Sequence, residues 1–474
     1  MKHPVRFVTA ASLFDGHDAA INIMRRILQS QGAEVIHLGH NRSVDEVVAA
    51  AVAEDVGGIA LSSYQGGHVE YFRYLVDRLR QEGIGHVKVF GGGGGVIVPS
   101  EIEELHRYGV ARIFSPEDGQ QMGLAGMIDS MIEACDVELA SPEVPMDALA
   151  AGGVAALART ITSLEAGVVP DDVSAELHRR AAARAVPVLG ITGTGGSGKS
   201  SLTDELVRRL RLDQEDKVRV AILAIDPTRR RGGGALLGDR IRMNSIDTPQ
   251  VFFRSMATRS AGSEVPGCLS AAIDAAVVWG ADLVIVETPG IGQGDAAIVP
   301  YADVSLYVMT PEFGASSQLE KIDMLDFADV VAINKFERRG AADALRDVAR
   351  QLLRNREDFT ATPEDMPVFG TVAARFNDDG VTALYQHLRT LLAAEGLELG
   401  GGTLAPVATK LSTRLAEVVP AARVRYLAEV AGSVRDHHAA TDAAAEAVWR
   451  RDQTGADLEL LTQGEVDTGA LQVV

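Results

Sequence analysis

The stretch GTGGSGKS, Gly193 to Ser200, constrains this chain most. It follows a short apolar run, Pro187 to Thr192, that reads as a strand. It precedes SLTDELVRRL, whose Leu202, Leu206 and Leu210 recur every four residues, as on one helix face. Strand, G-x-x-x-x-G-K-[ST], helix is the context a phosphate-binding loop requires. Its glycines let backbone N–H groups converge on phosphate oxygens, and the helix N-terminus adds partial positive charge. Gly196, Ser197, Gly198, Lys199, Ser200 and Ser201 are the candidate phosphate contacts, with Lys199 reaching the β/γ-phosphates and the Ser200 hydroxyl a ligand for Mg²⁺. A chance glycine-rich turn would not have both flanking elements right. The chain is expected to bind a nucleoside triphosphate.

At 474 residues the chain has room for two or three domains. Its formal charge of −20 argues against nucleic acid as the main partner, because neutralising phosphates needs a basic surface. Cys135 and Cys268 are its two cysteines, so neither a disulfide framework nor a cysteine metal cluster is expected, as suits a reducing cytoplasm. The first residues run straight into VRFVTAAS without a leader pattern, and no apolar run is long enough to span a membrane. A soluble, cytoplasmic α/β protein is the expectation.

Residues 1–135 alternate strand and helix patterns, as in a flavodoxin-like parallel sheet. Strands are expected at Val5–Ala11, Glu34–Leu38, Gly58–Ser62, Val87–Phe90 and Ala111–Phe114. Ligands of such sheets bind beyond the carboxyl ends of the strands. There the unusual residues sit: Asp15-Gly16-His17 after the first strand, Ser62-Ser63-Tyr64-Gln65-Gly66-Gly67 after the third, and Gly91 to Gly95 after the fourth. An imidazole at His17 suits a metal, and Asp15 can hold its other ring nitrogen. Ser62 offers a short hydroxyl, and the glycines leave room for a bulky ligand. The plain alternative is a capping Asp, a surface His and a loose turn. Three such loops in one five-strand domain outweigh it.

Ser141-Pro142-Glu143-Val144-Pro145 reads as the start of a linker, and residues 136–185 as alanine-rich linker helices without chemistry of their own. A linker of this kind gives no reason for a large direct interface, so relative motion of the two domains is the default. From 186 to 400 the pattern fits a P-loop domain. The run Val218–Ile225 ends in Asp226-Pro227-Thr228, and RRRGGGALLGDRIRM follows, a glycine-rich segment that reads as a mobile switch. Asp282–Val286 leads into Glu287-Thr288-Pro289-Gly290. Asp226, Asp239 and Glu287 are thus candidate acidic partners of Mg²⁺, which takes one or two carboxylates, phosphates and waters. After Val330–Ile333 comes Asn334-Lys335-Phe336-Glu337, where N-K-x-D would read guanine. Glu337 stands for the Asp, and a longer carboxylate can still accept from both guanine donors. Gln293 is a candidate for orienting water. Residues 401–450 read as a helical extension with Leu411, Leu415, Val418 and Val419 as an apolar stripe, and 451–474 as a disordered acidic tail.

DGHDAA, SSYQGG and VFGGGGGVIVP resemble the cobalamin-binding domain of adenosylcobalamin-dependent acyl-CoA mutases, whose pattern is D-x-H-x-x-G, S-x-L and G-G. The resemblance implies that His17 is the lower axial ligand of cobalt with Asp15 behind it. It implies also that Gly16, Ser62, Gly91 and Gly92 line the slot for the nucleotide tail. Ala20 and Tyr64 depart from the pattern without removing a ligand. GTGGSGKS, DPT, LLGDRIRM, ETPGIGQ and NKFE are similar to the G-protein chaperones of these mutases, including the form built into isobutyryl-CoA mutases. That similarity implies Mg²⁺ at Ser200, Asp226, Asp239 and Glu287, with Ile225 and Thr288 near a second ion. It implies Arg242 near the phosphates, and base recognition by Asn334, Lys335 and Glu337. GTP would be the substrate, and the partner a mutase catalytic barrel, separate or missing from a longer chain, in a homo-oligomeric assembly. A (β/α)₈ barrel needs ~250 residues, for which no room remains beside two assigned domains. A GTP-dependent metallochaperone for nickel or another ion, and a cobalamin-responsive regulator, are the alternatives. The first usually carries His-rich tracts or clustered cysteines, and GTP turnover separates the second.

Overall fold

Fully buried apolar runs bounded by turn residues give strands of a parallel sheet covered on both faces. In the computed structural model thirteen strands form two sheets among the described residues. It describes residues 1–474 except 229–232, 238, 260–264, 291–294, 315–318, 321, 358–359, 414–424, 463 and 465–474, and the side chains of Asp239 and Asp295. The first sheet takes β1 (Arg6–Ser12), β2 (Glu34–Arg42), β3 (Gly58–Ser62), β4 (Lys88–Gly92) and β5 (Arg112–Phe114), in the order β5-β4-β3-β1-β2. Helices α1 (Ala19–Ser30), α2 (Val44–Glu54), α3 (His68–Gln81), α4 (Pro99–Tyr108) and α5 (Pro116–Cys135) follow these strands in turn. The sequence placed each of these five strands to within a few residues. Ser43 caps α2 with a reciprocal bond to Glu46, a local signal of where that helix begins.

The second sheet is also wholly parallel, in the order β13-β12-β11-β6-β10-β7-β9. Its strands are β6 (Val188–Gly193), β7 (Val220–Asp226), β9 (Val251–Ala257), β10 (Leu283–Glu287), β11 (Val304–Met309), β12 (Val330–Asn334) and β13 (Val368–Thr371). Helices α6 (Met146–Ala150), α7 (Val154–Ala166) and α8 (Asp171–Ala181) precede it, α9 (Lys199–Asp213) follows the phosphate-loop motif, and α10 (Leu269–Trp279) precedes β10.

The structure overturns the linker reading. Leu149, Leu157, Ile161 and Leu177, from α6, α7 and α8, share one buried core with Val188, Val284 and Trp279 of the second sheet and α10. These helices belong to the second domain. The same α7 packs on α2 of the first domain.

Nor do the domains merely flank a hinge. The segment that read as a mobile switch forms β8 (Ala235–Leu237), which pairs in parallel with Glu34–Ile36 of β2 and becomes a sixth strand of the first sheet. Behind it lies a buried charge cluster. The Arg6 guanidinium reaches Glu34 at 2.7 Å and Glu165 at 3.4 Å, and Arg254 reaches Glu165 at 2.7 Å. Arg259 reaches Glu34 at 2.8 Å, and Arg240 reaches Glu54 at 3.4 Å. Burial raises the Glu34 carboxyl, but the Arg6 and Arg259 cations more than reverse that and hold it low. Residues 1–413 form one compact unit, so relative motion is not the default for this pair of domains.

The second unit, residues 414–474, holds a helix Tyr426–Thr462 with no buried residue. It continues past residue 451, where the sequence reading began a disordered tail. Helix is likewise not found at 403–413: Leu411 makes a parallel bridge to Gly370, and Leu404 and Val407 pack on the core of the second sheet. Of the expected apolar stripe, Leu415, Val418 and Val419 lie outside the described residues.

Candidate functional site

Two sites lie at the carboxyl ends of the two sheets. At the first, β1 ends in a tight turn that carries Asp15 and His17. Asp15 is fully buried, whereas the His17 side chain is 66% exposed. Asp15 Oδ1 accepts from His17 N–H and faces His17 Nδ1, both at 2.8 Å, and Oδ2 accepts from Tyr64 N–H at 2.6 Å. Burial pushes the Asp15 carboxyl up, but the Tyr64 and His17 donors outweigh it and keep it below the usual carboxylate range. An ionised Asp15 holds the proton on Nδ1 and leaves the Nε2 lone pair to a ligand. The Tyr64 ring lies tilted against the imidazole, with centroids 5.6 Å apart.

Beside this dyad a cavity of about 370 Å³ opens among Ala20, Ile23, Ser62, Gly92, Phe114 and Leu124. Ser62 Oγ is buried there without a hydrogen-bond partner among the described residues, which suits a ligand with a polar tail entering an otherwise apolar slot. Gly91 and Gly92 both line it, for different reasons. A Cβ on Gly91 would lie 2.4 Å from Phe72 and 2.7 Å from Ile113, so its side is filled by the core and only its backbone serves the slot. Gly93 is likewise fixed by packing, its Cβ falling 2.3 Å from the Ser63 carbonyl oxygen. Nothing stands within 4 Å of a Cβ on Gly16, in keeping with an open mouth. An apolar cavity, an unpartnered hydroxyl at Ser62 and an oriented imidazole at its side therefore fit a cobalamin.

At the second sheet, β6 runs into the Gly193–Ser200 loop and α9. Lys199 folds back on the loop, its Nζ donating to the Gly193 carbonyl at 2.9 Å. Ser200 Oγ donates to Glu287 Oε1 at 2.7 Å, and Thr203 Oγ1 donates to the other Glu287 oxygen at 2.9 Å. Thr288 Oγ1 bonds Thr192 Oγ1 at 2.8 Å. Asp226 ends the neighbouring strand β7, whose Ala224 pairs with Glu287, and Ile225 precedes it in the ladder with β9. Thr194 Oγ1 and Ser197 Oγ are buried without a hydrogen-bond partner among the described residues, as hydroxyls awaiting phosphate oxygens would be. Gly290 packs on the loop so closely that a Cβ there would lie 2.5 Å from Lys199 Nζ. Ser201 is the third residue of α9. No cluster of three or more His, Cys, Asp or Glu that could hold a metal occurs among the described residues. Ser200 Oγ and the Glu287 carboxylate stand together beside the loop, the hydroxyl and carboxylate oxygens that Mg²⁺ takes alongside phosphates and waters.

Asn334 and Lys335 clasp the same loop. Asn334 Nδ2 donates to the Ser197 carbonyl at 2.8 Å and its Oδ1 accepts from Ala373 N–H at 3.0 Å, while Lys335 Nζ donates to the Gly196 carbonyl at 2.6 Å. Glu337 is exposed two residues on. A Cβ on Gly198, at φ +89°, would sit 2.6 Å from Asn334 Nδ2, so the clasp itself demands glycine. Of the remaining sequence candidates, Asp239 starts a 3-10 turn, Asp239–Arg242, and its side chain is outside the described residues, as is Gln293. Arg242 ends that turn with its side chain exposed.

The sequence missed Asn41, whose side chain accepts from Phe14 N–H at 2.8 Å and whose own N–H donates to the Asp15 carbonyl at 3.1 Å. It missed Thr203 too, for which a position one turn beyond Ser200 was the available signal.

Comparison with known proteins agrees with both halves. A B12 binding domain model matches residues 5–125, and the model described as methylmalonyl Co-A mutase-associated GTPase MeaB matches residues 157–400. The chain belongs to the MeaB family. The family span begins inside α7, as the packing of that helix requires. The chain is 69% identical over 459 residues to a fused isobutyryl-CoA mutase of Nocardia farcinica, covering 96% of this chain and 43% of that one. It is 62% identical over 471 residues to a fused isobutyryl-CoA mutase of Cupriavidus metallidurans, covering 99% and 43%. It thus spans less than half the length of the curated relatives it matches. It joins a B12-binding domain to a mutase-associated GTPase domain of the chaperone type, and no helix among its described residues is long and apolar enough to cross a membrane.

Proposed function

We propose that this chain binds adenosylcobalamin and GTP, hydrolyses GTP, and uses that cycle to gate loading and protection of the cofactor on an acyl-CoA carbon-skeleton mutase of the isobutyryl-CoA type. The mutase barrel would be a partner or a further part of a longer chain, in a homo-oligomeric, cytoplasmic assembly. The observation that carries the reading is the Asp15–His17 dyad against Tyr64, a residue that lines an apolar cavity, in one chain with a complete phosphate loop.

The chemistry follows from what each residue can do. Backbone N–H groups of Gly196 to Ser201 cradle the phosphates, and Lys199 exchanges its Gly193 carbonyl for phosphate oxygens. Ser200, with Glu287 and Asp226 behind it and Asp239 from the switch, would hold Mg²⁺, which when bound neutralises charge between the β- and γ-phosphates. Ile225 and Thr288 would stand near a second ion. Arg242, at the end of the Asp239–Arg242 turn, would approach the phosphates. Asn334 and Lys335 hold the base loop to the phosphate loop, and Glu337 accepts from the guanine N1–H and amine. At the other site His17 would hold cobalt, with Asp15 keeping the ring oriented, and Ser62 would meet the ligand's polar tail. Adenosylcobalamin supplies radical chemistry when bound to a mutase, and this chain's residues orient and shelter it.

The test is turnover. Wild type should release phosphate from GTP in a Mg²⁺-dependent manner, and Lys199→Ala and Ser200→Ala should each slow it by about two orders of magnitude, the scale of removing one transition-state contact. Phosphate release unchanged in both variants would contradict the assignment.

A further inference from the structure

β8 belongs by chain order to the GTPase domain, yet its backbone completes the sheet of the cobalamin domain. The register Glu34 to Ala235, Val35 to Leu236 and Ile36 to Leu237 covers the open edge of β2. An added strand of this kind binds through main-chain hydrogen bonds and is a recurrent recognition mode. Its seat is tight: a Cβ on Gly234 would lie 2.3 Å from the Gln29 carbonyl oxygen and 2.7 Å from that of Ala33, in the turn from α1 into β2.

Beyond β8, contacts of the turn that follows it lead towards each ligand site. Towards the nucleotide, the 3-10 turn Asp239–Arg242 leads to Met243, buried with Leu202 and Leu206 of α9. The Asp204 carboxylate of α9 accepts from Asn244 N–H at 2.8 Å and from Ser245 N–H at 2.7 Å. The turn is therefore tied to the helix whose first residue is Lys199. Towards the cobalamin, Ile241 lies against Gly39 of β2, where a Cβ would be 3.1 Å from its Cδ1. Two residues on, Asn41 holds both Phe14 N–H and the Asp15 carbonyl. Phe14 and Asn41 both have left-handed backbones, at φ +64° and +57°, so this corner has little slack. The end of β2 sets Asp15, and Asp15 sets His17.

We propose that β8, seated on the β2 edge, couples the two ligand sites within this chain, so that cobalamin affinity depends on the bound nucleotide without any further protein. Segments at this place in GTPases are ordered by the γ-phosphate and released on its loss, which gives the two states that coupling requires. Linkage is reciprocal, so cobalamin must shift nucleotide affinity by the same factor. The inference rests on the reading that the chain binds both ligands.

The experiment is calorimetric titration of adenosylcobalamin into the full chain, saturated with Mg²⁺ and either GDP or a non-hydrolysable GTP analogue. The two dissociation constants should differ about fivefold or more, the usual scale of coupling, and the nucleotide ratio should move equally with cobalamin present. Gly234→Val should bring both ratios to unity while each ligand still binds, because it unseats β8 and touches neither site. Ile241→Ala, a milder change, should shrink them and serves if the first variant does not fold. Hydrogen exchange in wild type should show the amides of Val35 to Leu38 protected to different degrees in the two nucleotide states. Equal affinities in wild type, or a ratio that survives in folded Gly234→Val, would overturn the inference and leave the functional reading standing. Failure of cobalamin or of both nucleotides to bind would overturn that reading, and the inference with it.

Discussion

Glu165 offers the sharpest test of how the two domains are held. It sits on α7, 1% exposed, facing Arg254 at 2.7 Å, Arg6 at 3.4 Å and Arg259 at 3.8 Å. Arg6 and Arg254 are almost as buried, so neither can turn to water if the carboxylate is removed. Glu165→Ala would leave two guanidinium groups in a dry site with reduced countercharge. Breaking a buried pair this way costs about 3–5 kcal/mol, a large part of the 5–15 kcal/mol by which domains are ordinarily stable. The pair Arg73–Glu104 is a control: both side chains are 47% exposed, and Glu104→Ala should cost less than about 1 kcal/mol. Urea unfolding, followed by tryptophan fluorescence and far-ultraviolet dichroism, reads both. The double variant Arg254→Met with Glu165→Leu should recover much of the loss, because apolar replacement of a buried ion pair is often neutral. If Glu165→Ala proves no more costly than Glu104→Ala, the cluster is hydrated in solution and the account of the interface is wrong.

His17→Ala should keep the fold and lose the axial nitrogen; a visible spectrum of bound cobalamin identical to wild type would refute the assignment. Glu337→Ala should relax guanine selectivity by about tenfold or more, since hydrogen bonds to a charged group contribute about 1.5–3 kcal/mol, whereas Glu337→Asp should retain it. Equal turnover of ATP and GTP by wild type would contradict the guanine reading. His37 is held at about 4 from its ordinary 6.5 by burial and by the Arg25 cation, with Thr9 on its Nδ1 at 3.0 Å. The folded state thus prefers the neutral ring, and this contribution is complete above pH 6.5 and lost as pH falls towards 4. The span corresponds to about 3 kcal/mol, and a His37→Gln variant should show a flatter stability profile across that window. A profile parallel to wild type would show that the ring does not titrate there.

What was legible in the sequence was whatever one contiguous segment specifies. The phosphate cradle is strand, loop and helix in a single run, so Gly193 to Ser200 announces its own geometry. Asp15 and His17 are two residues apart and meet through one turn. Asn334 and Lys335 read as base contacts from one contiguous NKFE run, and the structure shows both side chains donating to carbonyls of the phosphate loop. Burial of charge was not legible. Arg6, Glu54, Glu165 and Arg254 look in sequence like any solvated residues, and only the packing of one domain on the other, α2 against α7 and β9, removes their water. Gly91 is a milder case: it reads as room for a ligand, yet its absent side chain makes way for Phe72. The glycines of RRRGGGALLGDRIRM suggested mobility, whereas Gly234 is there because strand β8 approaches two carbonyl oxygens too closely for any side chain.

The same physics explains why the two domains form one compact unit. Glu54 ends α2 with its side chain fully buried, beneath the first sheet's boundary with the second domain. Its carboxylate accepts from Ser255 N–H at 3.1 Å and Ser255 Oγ at 3.0 Å, both on β9, and faces Arg240 from the turn after β8. Apart from Arg6 at 3.6 Å, every one of these partners comes from the other domain. A buried carboxylate short of donors is costly, so Glu54 is fully satisfied only when β9 and the turn after β8 stand against it. The β2 edge makes the same demand, since its ladder groups at Glu34 to Ile36 are met by β8. The nucleotide-binding domain therefore supplies structural parts of its neighbour, among them β8 and the turn after it, which lie between Asp226 and the Asn244–Ser245 anchor on Asp204 of α9. A change of nucleotide that moved this segment would have to break or remake those parts, which is why the two sites are physically contiguous through the chain itself.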